Sequence, residues 1–221
     1  MREYIQHLFL ASLYKLPAGE ELLFKGGTAL RIIYNSPRFS EDLDFTGENI
    51  HDYVSIEELL IDTLSGIEKQ GIGIGLNEAK PTTGGYLGII HYKLYDFIGD
   101  MKFEISLRRG GALAREIITV IGDFVPPYTI CHLSVENIVR EKMAALISRK
   151  KPRDYYDLYF LLRHPELRGF VRGSLLKEIL EDLGKEKINF KKELSVLLPI
   201  SHQLILKDFK KTLAQEIKRY L

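Results

Sequence analysis

The sequence has little cysteine and no long apolar segment, and each absence excludes a class of protein. With one cysteine among 221 residues, the chain cannot form an internal disulfide or a thiolate zinc site. No apolar run approaches the ~20 residues that span a bilayer, and Glu3, Gln6 and His7 interrupt any signal-peptide core. A content of 45% hydrophobic and 28% charged residues is typical of an ordered, soluble chain. We therefore expect a cytoplasmic protein with no membrane partner.

Several familiar catalytic and cofactor motifs are also missing. The sequence contains no Gly-x-Ser-x-Gly motif and no phosphate loop ending in Gly-Lys-Ser or Gly-Lys-Thr. Its six histidines show no metal-binding spacing. Gly71, Gly73 and Gly75 alternate with isoleucines instead of opening a helix after a strand, so they do not form a dinucleotide fingerprint.

The charge of the chain is divided unevenly between its two parts. Residues 1–133 hold 12 basic and 18 acidic side chains, whereas residues 134–221 hold 19 and 12, so a net charge of +1 combines −6 with +7. Two unlike solvated surfaces would explain this asymmetry. A metal-binding part followed by a phosphate-binding part would explain it equally well.

The hydrophobic period changes near the same position. Apolar spacing predicts helices over residues 3–16, 28–34 and 55–68, and a β-rich stretch over 71–133. From residue 134 the period is helical, with further helices predicted over residues 153–163, 173–183 and 201–220. The sequence thus predicts an α+β domain over 1–133, followed by an all-α domain over 134–221.

The densest chemistry lies between residues 25 and 45. Gly26 and Gly27 allow a sharp turn and a close approach to the backbone, and the helix after them directs free N–H groups and a positive dipole end at the same place, which suits a phosphate. Asp42 and Asp44 are two residues apart on a predicted strand, so their carboxylates share one face. Read singly, the glycine pair is a plain turn and the Asp-x-Asp a solvated strand edge; together they indicate a site.

A third carboxylate can join this pair. Glu104 lies on a later alternating strand, between Phe103 and Ile105. Adjacent carboxylates repel unless a cation lies between them, and hard oxygen ligands favour Mg²⁺. The predicted metal ligands are Asp42, Asp44 and Glu104. The alternative for Glu104 is an ordinary outward-facing strand residue.

Two opposite charges in the second half point toward an interior. Lys142 falls near the centre of an apolar helical stripe, and Asp157 shares a helix face with Leu158 and Leu161. Burying an unpaired charge is costly, so the two residues either form a structural bridge with each other, or Lys142 reaches outward or meets an anion. Sequence alone leaves open whether Asp154 or Asp157 is the more important acid. Arg149 and Arg153 belong to a basic run that is either a solvated loop or a site for a triphosphate or an RNA backbone.

The order of these motifs is similar to the nucleotidyltransferase fold of the DNA polymerase β superfamily. Phe-Lys-Gly-Gly-Thr-Ala-Leu at 24–30 with Arg-Phe-Ser-Glu-Asp-Leu-Asp-Phe at 38–45 resembles the AbiEii/AbiGii toxin family. The helical Lys142, the basic run and Arg-Asp-x-x-Asp-Leu at 153–158 agree with that family. The matching segments cover residues 25–45, 101–108 and 136–162, and the last sixty residues contain no recognised motif.

The resemblance implies a toxin enzyme that transfers a nucleotide. Its substrate would be a nucleoside triphosphate held with Mg²⁺ or Mn²⁺, and its acceptor a tRNA 3′ end or a protein hydroxyl. A cognate antitoxin is also implied. Phosphates would contact Gly26, Gly27, Thr28, Ser40, Arg149 and Arg153, with Lys142 on the leaving pyrophosphate. Asp157 would orient Lys142 or bind the nucleotide. The implied fold is a polymerase-β-like core with a mixed sheet over 1–133, and a helical bundle over 134–221 that completes the nucleotide site. The alternatives are an inactive nucleotide- or RNA-binding module, or an enzyme that modifies a small molecule such as an antibiotic.

Overall fold

The chain forms two compact units in a computed structural model that describes residues 1–50, 52–107, 113–185 and 187–221. The sheet unit contains Met1–Tyr34 and Glu41–Ser134, and the helical unit contains Asn35–Ser40 and Val135–Leu221. The sequence predicts one domain over residues 1–133, whereas residues 35–40 belong to the helical unit. Within the described ranges, no helix combines the length and the apolarity that crossing a membrane requires.

The sheet unit is built on a mixed β-sheet, as the resemblance implies. The strands run in the order β3-β4-β5-β2-β1-β7-β6. Most neighbours are antiparallel, but β2 pairs parallel with β5, and β1 pairs parallel with β7. The strands are β1 Leu22–Lys25, β2 Leu43–Gly47, β3 Gly73–Thr82, β4 Gly85–Leu94, β5 Phe97–Leu107, β6 Arg115–Val120 and β7 Tyr128–Leu133. The alternation predicted for β5 continues to Arg108, which lies outside the described residues.

Three helices complete the sheet unit: α1 Arg2–Leu13, α2 Gly26–Tyr34 and α3 Tyr53–Glu68. α2 follows β1 without an intervening loop. α3 begins at a side-chain cap, in which the Ser55 backbone N–H donates to Asp52 Oδ1 at 2.7 Å. A chain of aromatic contacts fills the core, because the rings of Phe24, Phe45, Phe103 and Phe9 follow one another at centroid distances of 5.0–5.4 Å.

The helical unit contains α4 Val135–Arg149, α5 Pro152–Arg163, α6 Gly173–Lys185, α7 Phe190–Leu197 and α8 Phe209–Lys218. Its core joins Tyr155 and Tyr156 of α5 to Phe190 of α7 and Phe209 of α8 through ring contacts of 4.9–5.8 Å. The prediction of one helix over residues 201–220 is wrong, since a 3-10 helix Ile200–Lys207 precedes α8. α7 has no counterpart in the sequence prediction.

Candidate active site

Two of the predicted carboxylates lie side by side on the sheet. Asp44 on β2 is the register partner of Glu104 on the parallel strand β5. Neighbouring strands are about 4.8 Å apart, and register partners project from the same face. Leu43 and Phe45 are fully buried on the other face. If the pairing of β2 slipped by one residue, Asp44 would face the core and Leu43 and Phe45 would face away from it. The two apolar neighbours therefore fix the face from which the Asp44 carboxylate projects.

The first residue of α2 lies directly against Asp44. Gly26 has φ of 83°, in the left-handed region that favours glycine. A Cβ at this position would come within 2.1 Å of Asp44 Oδ2, far inside any real contact distance. Glycine is therefore required for two separate reasons. The result is a carboxylate at the N-terminal end of a helix, where unpaired N–H groups and the helix dipole favour anions.

Asp42 is attached to the same helix through its backbone. It precedes β2, and its carbonyl oxygen accepts a hydrogen bond of 2.5 Å from the buried Thr28 Oγ1. The hydroxyl of Thr28 thus holds the Asp42 segment against α2. For a phosphate, the suitable groups here are the backbone N–H groups of Gly27 and Thr28 in the first turn, which have no intrahelical partner.

Sequence reasoning missed a cation beside these carboxylates. Lys25 on β1 is the register partner of Asp44, and its residue is only 8% exposed. Its Nζ donates to Ser106 Oγ at 3.2 Å. An ammonium group held in this position offsets part of the negative charge of the carboxylates. The sequence offered one signal for Lys25: side chains alternate between the two faces of a strand, so Lys25 lies on the face opposite to that of the buried Phe24.

The three predicted metal ligands do not form a closed set. Among the residues that the structure describes, no group of three or more His, Cys, Asp or Glu side chains is placed to hold a metal ion. In donor type the residues do fit, because Asp44 and Glu104 offer hard oxygen atoms on one sheet face and Asp42 lies two residues before Asp44. The three-ligand assignment stays a prediction.

The helical unit contains a buried cluster of three charges, which we call the charge triad. Arg38 donates to both carboxylate oxygens of Asp157, from Nε at 2.8 Å and from Nη2 at 3.2 Å. Lys142 Nζ donates to Asp157 Oδ2 at 2.8 Å. The side chains are 5%, 2% and 12% exposed for Arg38, Asp157 and Lys142. The bridge that the sequence left open is therefore formed, and it includes an arginine that was not predicted as a site residue.

The charge triad carries one excess positive charge. Burial alone would raise the pKa of Asp157, but Arg38 and Lys142 lower it to about 2. The carboxylate is therefore ionised at neutral pH, and one anion is set against two cations. Lys142 is the most exposed member of the three. A positive group at the edge of a desolvated cluster is suited to an incoming anion.

The other predicted residues of the helical unit have separate partners. Arg149 Nη2 donates to Asp154 Oδ1 at 2.6 Å, and Asp154 also accepts from the Lys151 backbone N–H at 3.2 Å. Arg153 forms an ion pair with Glu193 at 3.5 Å. Asp154 thus caps α5, whereas Asp157 is the acid that joins Lys142. Ser40 is half-buried in the segment 35–40, which is tied to α7 by a hydrogen bond from the Phe39 backbone N–H to the Leu197 carbonyl at 2.8 Å.

Comparison with solved structures finds two similar Helicobacter pylori proteins. The crystal structure of JHP933 has a TM-score of 0.70 and 25% identity, over 99% of this chain and 90% of that one. A candidate nucleotidyltransferase has a TM-score of 0.63 and 23% identity, over 100% of this chain and 96% of that one, which supports the fold alone. Among curated proteins, none is significantly similar to this sequence.

A family model matches nearly the whole chain. The model describes the nucleotidyl transferase AbiEii toxin of type IV toxin–antitoxin systems, and it covers residues 8–220. The match includes the Asp44–Glu104 pair of the sheet unit and the charge triad of the helical unit. It also extends through the final sixty residues, where the sequence contains no recognised motif. The chain therefore belongs to the AbiEii family of nucleotidyltransferase toxins.

Proposed function

We propose that this toxin nucleotidyltransferase transfers a nucleoside monophosphate from a nucleoside triphosphate to a hydroxyl group at the 3′ end of a tRNA. The observation that carries the proposal is the contact of the Asp44 carboxylate with the first residue of α2, next to Glu104. The N–H groups at the start of α2 are thus close to the carboxylate of Asp44, and Glu104 is its neighbour on the next strand. Such a site suits a triphosphate that arrives with a divalent cation.

The carboxylates supply the metal-binding part of the proposal. Asp42, Asp44 and Glu104 would hold Mg²⁺ or Mn²⁺, and the cation would neutralise phosphate charge when bound. Without a cation, Asp44 and Glu104 repel each other across neighbouring strands. Lys25, the register partner of Asp44, contributes one positive charge beside the two carboxylates.

The transfer itself is a displacement at the α-phosphorus. The acceptor oxygen forms a bond to this phosphorus while the bond to the β-phosphate oxygen breaks, so pyrophosphate leaves. Glu104 would either remain the third metal ligand or accept the proton of the acceptor hydroxyl; in the first case the proton would pass to solvent. The N–H groups of Gly26, Gly27 and Thr28 would donate to phosphate oxygens. Stabilising charge that develops on the phosphates is electrostatic work done by groups fixed in advance.

The helical unit would supply positive charge. Lys142 would donate to the leaving pyrophosphate, and Asp157, held by Arg38, would fix the direction of the Lys142 ammonium group. The family places the chain in a toxin–antitoxin system, and we infer a cognate antitoxin and action in the cytoplasm.

Further phosphate contacts are proposed for three residues that the sequence singles out. They are Ser40, Arg149 and Arg153. Arg149 and Arg153 each have a carboxylate partner in the helical unit, so a phosphate would have to share or replace that partner.

The test is a transfer assay with each labelled nucleoside triphosphate, Mg²⁺ and total tRNA. We expect label on the tRNA 3′ end, and a loss of about a hundredfold or more in Asp44→Asn. Asp100→Asn is the matched control, because this carboxylate is exposed and lies on the same unit. Transfer to no RNA or protein, together with unchanged binding of nucleotide and Mg²⁺ by Asp44→Asn, would overturn the proposal. If the label is found only on a small molecule, the tRNA 3′ end is not the acceptor.

A further inference from the structure

A basic groove lies in the part of the helical unit where the sequence has no motif. The groove has a volume of about 690 Å³, and among the residues that the structure describes it is lined by five lysines and one acidic residue, Asp208. All five lysines are exposed, and none of the residues assigned above to catalysis or nucleotide binding lines the groove. We call it the lysine groove, and its lysines are Lys187, Lys191, Lys207, Lys210 and Lys211.

Two helices begin at this groove. α7 starts at Phe190 and α8 starts at Phe209, and both residues line the groove with their rings 4.9 Å apart. The positive ends of two helix dipoles therefore add to the lysine charge. Asp208 stands at the start of α8, where the same dipole offsets its negative charge, and its side chain makes no capping hydrogen bond.

We propose that the lysine groove binds the phosphate backbone of the RNA acceptor. This inference rests on the proposed function, which supplies RNA as the acceptor. Lysine is a compact point charge that contacts phosphates without reading sequence. The described residues of the lining have four more positive than negative side chains, five lysines against Asp208. A nucleic acid strand has one negative charge per nucleotide, about 3.4 Å apart along a duplex strand. An extended polypeptide rises about 3.3 Å per residue, so it would match this charge spacing only if almost every residue were acidic.

The groove accounts for part of the positive excess of the second half. The basic run at 149–153 is largely paired within the helical unit, since Arg149, Lys150 and Arg153 have carboxylate partners at 2.6–3.5 Å. By contrast, Lys187, Lys191 and Lys211 have no ion-pair partner among the described residues. Their charge remains available to a polyanion in solution.

The experiment measures binding of 5′-fluorescein tRNA by anisotropy between 50 and 200 mM salt, without nucleotide. The groove variant combines Lys187→Gln, Lys191→Gln and Lys211→Gln. The control variant removes the same charge from exposed lysines outside the groove: Lys69→Gln, Lys177→Gln and Lys218→Gln. We expect the groove variant to bind roughly ten- to a hundredfold more weakly, with a slope of log K against log salt smaller by about two. The control should change by less than about threefold.

The outcomes separate this inference from the proposed function. Asp44→Asn should bind tRNA as the wild type does, because it alters only the proposed metal site. If both triple variants weaken equally, if the salt slope is unchanged, or if polyglutamate displaces tRNA as well as RNA does, the groove is not an RNA site. If the wild type transfers no nucleotide but the groove variant alone loses tRNA binding, the transfer proposal fails and the groove stands. Thermal melts of both variants check that each is folded.

Discussion

Replacing Gly26 with alanine should separate the geometry of the carboxylate from the stability of the fold. A Cβ would meet Asp44 Oδ2 at 2.1 Å, whereas real contacts lie at 3.0 Å or more, so the carboxylate must move by about 1 Å. Displacements of that size cost about a hundredfold in rate. The residue also keeps φ near 83°, which costs an alanine about 1–2 kcal/mol.

The assay compares transfer rate and melting temperature in Gly26→Ala and Gly71→Ala. Gly71 has φ of 84°, but an added Cβ there has no atom within 4 Å, so it carries the backbone strain without the clash. Both variants should melt about 2–8 °C lower than the wild type. Only Gly26→Ala should lose activity. Equal rates in the two variants would refute the argument that Gly26 exists to admit the Asp44 carboxylate.

Three further predictions concern the charge triad and the start of α2. Arg38→Lys should lower the free energy of unfolding by roughly 1–3 kcal/mol in urea titrations, since the ammonium keeps the charge but cannot replace the two-pronged bond to Asp157; a cost below about 0.5 kcal/mol would contradict this. The pKa of Asp157 lies below its unfolded value, so its contribution of about 2 kcal/mol is present above pH 4 and is lost as the pH falls toward 2; Asp157→Asn should lack this part of the acid dependence. Thr28→Val should cost about 1–3 kcal/mol and slow transfer, because it removes the bond to the Asp42 carbonyl. Thr28→Ser should cost about 1 kcal/mol for the lost buried methyl group but leave the transfer rate unchanged, because it keeps the hydroxyl.

Strands β2 and β5 of the sheet unit were predictable, because the alternation of polar and apolar residues depends only on neighbouring positions in the sequence. Alternation along β2 and β5 put Asp44 and Glu104 opposite buried apolar residues, and the structure confirms that alternation. The end of the chain was less predictable. Lys207 and Asp208 continue a helical spacing in sequence, yet α8 begins only at Phe209, where the ring packs against Phe190 of α7. That contact is tertiary, so the apolar period carries no sign of it.

The charge triad shows where sequence reasoning ends. The helical pattern correctly placed Lys142 and Asp157 facing inward, because each interrupts an apolar stripe. Arg38 offered no such signal, since it lies in a segment without periodicity and its partner is 119 residues away in the sequence. The position of residues 35–40 in the helical unit is likewise a result of this distant pairing.

That pairing also bears on how the protein is made. A ribosome adds about 5–20 residues per second, so Arg38 emerges roughly 6–24 s before Asp157. Throughout that interval the nascent chain has an arginine whose final environment does not yet exist. A chain truncated after residue 133 would remain in this state permanently. The helical unit can therefore be completed only after Asp157 and the helices that follow it have left the ribosome.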